Sequence, residues 1–354
     1  MSATLPTLLR DKARLVEDLL PATVAQGFSP EVARAGLEAE TESWSESALV
    51  GLSDELPTGW QARAPRAVLV IAARTLPASM LRQCLFARAL GARVLLKCAA
   101  GQEAVGEVLH AIDPAIEPTP FASDDRAAAQ SAIALADTVV VLGSDETVRA
   151  LRAETPAGKG FAAHGHKVSA AWLGPAPSDA DVTGLARDVV AWDQAGCLAP
   201  QVVWVEGDPT HVRQVGERLT KALQTIEREL PLADLSAHRV ARQRVVPLVA
   251  MLGGELLGTQ TTFIATLPEA AFRPSPGPRM VWLLPADASA LDALMPILST
   301  LAVARSSTPT LASPSVRLCA PGEMQRPPLT WRQDGLHPLA SLLRPDRPEL
   351  ASAP

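Results

Sequence analysis

Short apolar runs alternate with amphipathic stretches in the first half of the chain, and this alternation constrains the fold more than any other feature. Runs rich in valine, leucine and alanine, short enough to be buried strands, occupy residues 66–73, 93–98 and 137–142. Segments with a helical period separate or precede them at residues 78–90, 102–112 and 124–136. Such alternation indicates a parallel sheet with right-handed crossovers, in which ligands bind at the carboxyl ends of the strands.

The second half continues this pattern. A strand-like run at residues 167–173 and a helix at 179–192 lead to a loop at 193–201, and a strand at 202–205 and a long helix at 210–230 follow. A chain of 354 residues is long enough for two cores. We therefore expect two α/β lobes and a tail rich in proline, arginine and leucine.

Charge and hydropathy exclude several classes of protein. The net charge is −6 and lysine and arginine are scattered, so no basic stripe for nucleic acid is present. Residues 5–20 carry charged residues among their leucines, Arg10, Asp11, Lys12 and Arg14 among them, which predicts an amphipathic surface helix rather than a signal peptide. No apolar run is long enough to cross a bilayer, so we expect no membrane span. The four cysteines are far apart and lack metal-site spacing, so we expect neither a disulfide framework nor a zinc site and a cytoplasmic, reducing location.

Cys197 is the first candidate for chemistry. It follows Gly196 and precedes Pro200 in the loop between a helix and a strand, where a thiol can face a cleft. A thiolate attacks an acyl carbon readily when nearby donors or dipoles lower its pKa. The alternative is a small buried apolar residue, which is the better interpretation of Cys84 and Cys98.

A second candidate site lies at the carboxyl ends of the predicted strands. Lys97 ends one strand, and Gly143 and Ser144 lie between the valine-rich strand and a helix predicted at residues 146–153. The amides and dipole of that helix start favour a phosphate, and Ser144 is suited to cap it. The alternative is a plain glycine turn with a capping serine, and the dinucleotide fingerprint Gly-x-Gly-x-x-Gly is absent.

His164 and His166 flank a glycine between these two candidate sites. Such a pair is compatible with acid–base catalysis, and two inert loop histidines are the alternative. No third ligand lies nearby, so we do not expect a metal.

Together these segments resemble the acyl-CoA reductase family of the bacterial luciferase operons, the fatty-acid reductase component that supplies aldehyde and a branch of the aldehyde dehydrogenase superfamily. The most specific segment, Asp-Gln-Ala-Gly-Cys-Leu-Ala-Pro-Gln at residues 193–201, is similar to that family's nucleophile loop. Supporting segments are residues 140–147, 161–169 and 324–335. The resemblance extends from about residue 67 to residue 343.

The resemblance implies that Cys197 takes the acyl group from a thioester and that a dinucleotide, usually NADPH with NADH possible, donates the hydride. Lys97 is similar to the lysine that holds the adenosine ribose in aldehyde dehydrogenases. Gly143 and Ser144 match the glycine-serine turn beside the cofactor, and Thr147 of the same segment joins this cofactor-binding set.

Two positions depart from the hydrolytic aldehyde dehydrogenases. Their base, the glutamate of Glu-Leu-Gly-Gly-Lys, is replaced by His164-Gly-His-Lys, which favours thiol exchange over hydrolysis and leaves His164 or His166 to relay protons. Their oxyanion asparagine falls near Thr75, a shorter donor. Two alternatives therefore stay open. The first is a catalytically impaired scaffold or binding subunit of the same fold. The second is an enzyme that oxidises aldehydes, which the missing glutamate disfavours.

The expected fold is α/β and aldehyde-dehydrogenase-like, with two α/β lobes, parallel-type sheets and the active site in the cleft between them. The expected segments are an N-terminal helical segment, a dinucleotide-binding lobe, a catalytic lobe with Cys197 and a tail that packs back on the lobes, at residues 1–60, 61–173, 174–320 and 321–354. The expected partners are an acyl-CoA or acyl-carrier thioester and an acyl-transferase or synthetase subunit.

Overall fold

A computed structural model describes residues 5–56, 62–307, 309 and 315–345. The expected segments also include residues 1–4, 57–61, 308, 310–314 and 346–354, and these lie outside the described residues. No helix within the described ranges is both long and apolar enough to cross a membrane.

The helices and strands alternate along most of the described chain. The α-helices are α1 (Thr7–Arg10), α2 (Lys12–Val24), α3 (Pro30–Glu42), α4 (Glu46–Asp54), α5 (Leu81–Ala89), α6 (Glu103–Ile112), α7 (Arg126–Leu135), α8 (Asp145–Glu154), α9 (Asp179–Val190), α10 (Pro209–Glu229), α11 (Leu235–Met251) and α12 (Ala288–Leu294). The strands are β1 (Ala62–Arg63), β2 (Ala67–Ile71), β3 (Arg93–Lys97), β4 (Ile116–Pro118), β5 (Thr138–Leu142), β6 (Gly160–His164), β7 (Val168–Leu173), β8 (Pro200–Val205), β9 (Glu255–Gly258), β10 (Phe263–Thr266), β11 (Met280–Pro285), β12 (Leu298–Val303), β13 (Arg317–Cys319) and β14 (Arg344–Pro345).

These elements form two compact units. Among the described residues, the first comprises 5–26, 41–56, 62–166 and 328–345, and the second comprises 27–40, 167–307, 309 and 315–327. Each unit contains one large sheet, so the prediction of an α/β fold with parallel sheets is confirmed.

The sheet of the first unit has the order β4-β3-β2-β5-β6, and all its strands are parallel. Strands β2 and β5 are buried along their whole length, which explains their uninterrupted apolar sequences. The chain proceeds from β2 toward one edge and then from β5 toward the other. The carboxyl ends of these two neighbouring strands therefore form a topological switch point, where ligands of open parallel sheets bind.

The sheet of the second unit has the order β13-β12-β7-β8-β11-β10-β9, and β9 is its one antiparallel strand. Its core contains large aromatic side chains, among them Trp172 and Trp204, whose rings lie 6.1 Å apart. Because β8, β10 and β11 start at the same edge, the loops that precede these strands lie side by side.

The structure differs from the expected boundaries at several places. Strand β7, which the sequence analysis included in the first lobe, pairs with β8 and β12 in the second sheet because its apolar sequence is buried on both faces there. The expected N-terminal helix is divided at Asp11, whose side chain caps α2 by accepting a hydrogen bond from the Arg14 N–H. The short strands β4 and β6 were not predicted, since β4 spans three residues and the apolar pattern of β6 is broken.

The tail from residue 328 is part of the first unit. Leu329, Leu339 and Leu342 are buried, and Thr138 Oγ1 donates to the Leu342 carbonyl at 2.9 Å. Asp137, at the start of β5, accepts hydrogen bonds of 2.8 Å from the Arg66 N–H and 2.8 Å from Arg344 Nη1. This carboxylate therefore joins the tail to the sheet.

We expect Asp137→Asn to lower the free energy of unfolding by about 1.5–3 kcal/mol at neutral pH, because two hydrogen bonds to a charged group are weakened. Burial raises the pKa of Asp137, but the hydrogen bonds from Arg66 and the charges of Arg66 and Arg344 outweigh it and lower the pKa overall. The stabilisation is therefore present above the ordinary aspartate pKa and is lost as the pH falls through the folded-state pKa. Urea unfolding at several pH values measures both effects.

The matched control is Glu117→Gln in the exposed pair with Arg93, which should change the free energy of unfolding by less than about 0.5 kcal/mol. Equal effects of the two substitutions would contradict the proposed anchoring of the tail.

Candidate active site

Cys197 lies in the turn between α9 and β8 and is half-buried. Its carbonyl accepts a hydrogen bond of 2.6 Å from Ser169 Oγ, at the start of β7. The Ala199 N–H donates to the Gly196 carbonyl at 3.2 Å, which closes the turn around the cysteine. The backbone of Cys197 is thus fixed at the amino-terminal edge of the second sheet.

The three residues at the start of this loop have a left-handed backbone. Trp192, Asp193 and Gln194 have φ values of 51°, 50° and 64°. For residues other than glycine this conformation costs roughly 1–2 kcal/mol each, and it persists only where the surroundings stabilise it. Such conformations concentrate at functional sites. The apolar pattern of α9 continues through Trp192, so the sequence predicted a helix to that residue and did not reveal this turn.

The first side chain that stabilises the turn is Trp192. Its indole is buried and packs edge-to-face on Phe28 with 5.3 Å between the ring centroids. Gly36 of α3 lies against the same ring, where a Cβ atom would overlap the indole. A glycine is therefore required at this point of α3.

The second is Asp193. Its Oδ1 accepts from Arg279 Nε at 2.8 Å and lies 2.6 Å from Arg279 Nη2, which also donates to the Leu230 carbonyl. Arg279 is fully buried and has a φ of 52°. Burial raises the pKa of Asp193, and the charge and hydrogen bond of Arg279 oppose this rise. Removal of either partner leaves a buried charge without its counter-ion.

The third is Gln194, whose side-chain amide connects two strands. Nε2 donates to the carbonyls of Pro200 and Met280, both at 2.7 Å, and Oε1 accepts from the Met280 N–H at 2.7 Å. The loop is thereby attached to the first residues of β8 and β11.

The other cysteines have environments that suppress thiolate formation. Burial raises the pKa of Cys98 to about 11 and that of Cys319 to about 12, and it raises the pKa of the fully buried Cys84 further. Cys84 and Cys98 lie where the sequence analysis expected packing residues. Among these three, none is suited to act as a nucleophile.

His164 ends β6 in the first unit and is buried. Its Nδ1 lies 2.7 Å from Asp334 Oδ2, and its Nε2 lies 3.3 Å from Gln83 Nε2. Asp334 has a φ of 55°, so this contact too is made from a left-handed residue. His166 is exposed, and its backbone N–H donates to Asp145 Oδ1 at 2.9 Å. The structure thus distinguishes a buried, oriented histidine from an exposed one.

Asp334 was not singled out from the sequence, although it falls within the quoted segment 324–335. An aspartate followed by glycine in a tail has no local pattern that points to a histidine 170 positions away. Only its position in a segment that resembles the family hinted at a role.

The expected cofactor residues lie after the parallel strands of the first unit. Lys97, at the end of β3, is 7% exposed, and its Nζ donates to Ser123 Oγ at 3.3 Å and lies 5.7 Å from the Phe121 ring centroid. No carboxylate in the described part of the chain forms an ion pair with this ammonium. A buried cation of this kind is suited to hydroxyl or phosphate oxygens.

The turn after β5 contains Gly143, Ser144 and Thr147. Ser144 caps α8, as expected, because its Oγ accepts from the Thr147 N–H at 3.2 Å. The Gly143 N–H donates to the His164 carbonyl at 3.1 Å. Thr75 lies exposed in the bend after β2, the neighbour of β5. These residues therefore surround the switch point, and Cys197 belongs to the second unit.

The fold is that of the aldehyde dehydrogenases. An NADP-dependent glyceraldehyde-3-phosphate dehydrogenase from Bacillus halodurans, complexed with NADP, is similar with a TM-score of 0.67 and 13% identity over 96% of this chain and 84% of that chain. An NAD-dependent benzaldehyde dehydrogenase from Corynebacterium glutamicum has a TM-score of 0.66 and 14% identity over 88% of this chain and 80% of that chain. At these identities the similarity shows the fold alone.

A family model described as acyl-CoA reductase (LuxC) matches residues 106–345. The chain therefore belongs to the acyl-CoA reductase (LuxC) family and is an enzyme of the oxidoreductase class, as the resemblance implied. No curated protein sequence matches it significantly.

We expect Gly36→Ala to lower the free energy of unfolding by about 1–3 kcal/mol, because the added methyl group displaces the Trp192 indole from its packed position. The control is Gly51→Ala in α4, where a Cβ meets no atom within 4 Å and the helix should gain up to about 1 kcal/mol. Urea unfolding of both variants measures the difference. A Gly36→Ala protein as stable as the Gly51→Ala protein would show that Trp192 does not anchor the turn.

Proposed function

We propose that the protein reduces an acyl thioester to an aldehyde through an acyl-enzyme on Cys197, with NADPH as hydride donor. One observation carries this proposal. Three consecutive strained residues, Trp192–Gln194, begin the loop of Cys197 and are held by aromatic packing, a buried ion pair and an amide bridge. A chain maintains such strain where a reacting group needs a fixed position.

The first step is thiol exchange. The Cys197 thiolate attacks the thioester carbonyl, a carbon–sulfur bond forms, and the negative charge develops on the carbonyl oxygen. We assign the stabilisation of this charge to the backbone N–H of Cys197, whose turn is fixed through Ser169. Collapse breaks the bond to the carrier sulfur, and the carrier leaves as a thiol after it gains a proton.

The residues of the first unit fit a dinucleotide. Lys97 offers a buried ammonium without a carboxylate partner among the described residues, beside the Ser123 hydroxyl, and suits a ribose or its 2′-phosphate. Gly143 and Ser144 line the turn at the switch point. The first turn of α8 already carries Asp145 and Glu146, so Lys97 is the better phosphate partner than the helix start. When bound, the nicotinamide supplies the hydride that reduces the acyl group.

The acid–base role falls to His164. Asp334 faces Nδ1 at 2.7 Å, so a carboxylate partner orients the imidazole. His164 then holds the proton exchanged during thiol and aldehyde release. His166, which is exposed, is the alternative relay. No glutamate takes the place of the hydrolytic base, which favours release of aldehyde over formation of acid.

The family and the residues described above also support proposals for the thioester carrier, the location, the cofactor preference and the partner class. We propose CoA as the carrier because the family consists of acyl-CoA reductases, and a reducing cytoplasmic location because Cys197 must remain a thiol. NADPH is preferred to NADH because Lys97 and Ser123 can both contact a 2′-phosphate. An acyl-transferase or synthetase subunit is the partner class that would supply the acyl group.

We expect Cys197→Ala to abolish the reaction of acyl-CoA with NADPH, in which one aldehyde, one CoA thiol and one NADP⁺ form per turnover. Thiol release, cofactor oxidation and aldehyde are measured in the same sample. Cys98→Ala, at a cysteine whose pKa burial raises to about 11, is the control and should retain most activity. Full activity of Cys197→Ala would show that another residue is the nucleophile.

We expect Asp334→Asn to lower kcat by about 10²-fold or more, because the carboxylate that orients His164 is lost. KM for the thioester should change little, because Asp334 acts on the histidine and not on substrate binding. Asp334→Glu should restore part of the rate. A purely structural role would instead lower the free energy of unfolding and leave kcat of the folded protein unchanged.

A further inference from the structure

An open cavity of about 890 Å³ lies in the second unit. It is bounded by the last turns of α10, the start of α11 and the turn between β9 and β10. Its polar lining includes Gln224, Arg228, Arg242, Gln260 and Thr261. None of these residues has been given a role above.

The charges at this cavity favour an anion. Arg228 forms no hydrogen bond or ion pair within the described ranges, and Arg242 lies over the Phe263 ring at 4.9 Å without a carboxylate partner among the same residues. The one acidic lining residue, Glu227, accepts a hydrogen bond of 2.7 Å from Thr259 Oγ1. Both arginines are exposed and line the same cavity, and guanidinium groups without a carboxylate partner are suited to phosphate oxygens.

Three buried polar groups lie around Phe263, the ring that Arg242 of the cavity covers. His238 Nε2, Thr262 Oγ1 and Arg279 Nη1 are buried and have no hydrogen-bond partner among the described residues. All three residues are neighbours of Phe263. The His238 ring stacks on the Phe263 ring with 4.0 Å between their centroids, and Thr262 precedes Phe263 in the chain. The backbone N–H of Phe263 donates a hydrogen bond to the Arg279 carbonyl. Buried polar groups in native proteins are nearly always paired, so this cluster makes the interior next to Arg242 polar, although its three residues do not line the cavity.

The position of the cavity relates it to Cys197 within the second unit. Cys197 precedes β8, Arg279 precedes β11 and Thr259–Thr262 precede β10, and these three parallel strands are neighbours. With strands about 4.8 Å apart, the start of β10 lies roughly 10 Å across the sheet from the start of β8. A thioester carrier has its phosphates separated from its sulfur by a long flexible arm, which can span such a distance.

We propose that this cavity binds the phosphate groups of the CoA part of the thioester substrate. Arg228 and Arg242 pair with the phosphate oxygens, and Gln260 and Thr261 donate to the remaining polar atoms. This inference rests on the proposed function, because it assumes that a thioester carrier delivers the acyl group to Cys197.

The experiment compares an acyl-CoA with the corresponding S-acyl-pantetheine, which lacks every phosphate. We expect Arg228→Gln and Arg242→Gln each to raise KM for the acyl-CoA by about ten-fold or more, since each removes a charged hydrogen bond. KM for the acyl-pantetheine should stay unchanged in both variants. The control is Arg239→Gln, an exposed arginine of α11 that does not line the cavity.

Calorimetric titration with free CoA and with pantetheine separates the two proposals. Weaker CoA binding by Arg228→Gln in a protein that reduces neither thioester would support the site and contradict the proposed function. Reduction of both thioesters with the same KM ratio in all variants would overturn the site and leave the function standing. Because Arg228 makes no ion pair or hydrogen bond within the described ranges, its replacement tests the site even if Arg242→Gln destabilises the fold.

Discussion

The buried ion pair between Asp193 and Arg279 is the interaction on which the candidate nucleophile loop depends. Both residues are buried, and their φ values are 50° and 52°. The ion pair therefore neutralises each buried charge and holds both residues in their left-handed backbone conformation. Burial of two charges is costly unless the pair is well formed. Here the guanidinium also donates to the Leu230 carbonyl, which fixes its orientation. A loop held in this way cannot relax into the helix that precedes it.

In the first unit, too, an aspartate with a left-handed backbone contacts a buried side chain that is distant in sequence. Asp334, in a segment far from the sheet in sequence, has a left-handed backbone and contacts Nδ1 of His164 at 2.7 Å. The tail is anchored near the opposite end of the strands through Asp137 and the Leu342 carbonyl. The tail therefore contributes to the candidate site, because it orients a buried histidine, and to stability, because Arg344 and the Leu342 carbonyl bind the start of β5.

Local patterns in the sequence identified the strands β2, β3 and β5, the capping role of Ser144 and the parallel arrangement of the sheets. They could not identify Arg279 or Asp334, because 86 and 170 positions separate these residues from their partners. Nor did they reveal the turn at Trp192, since it contains no glycine and its apolar residues continue the period of α9. Periodicity reports which face of an element is buried and says nothing of which distant side chain meets it.

If Cys197 is the nucleophile, it becomes acylated before any hydride is transferred. Intact mass spectrometry of the protein incubated with an acyl-CoA, in the absence of dinucleotide, measures this directly, and peptide mapping locates the added mass. The expected result is one acyl group on Cys197, which is released when NADPH is added. An acyl group on a different residue, or no adduct in a protein that still reduces acyl-CoA, would contradict the central claim.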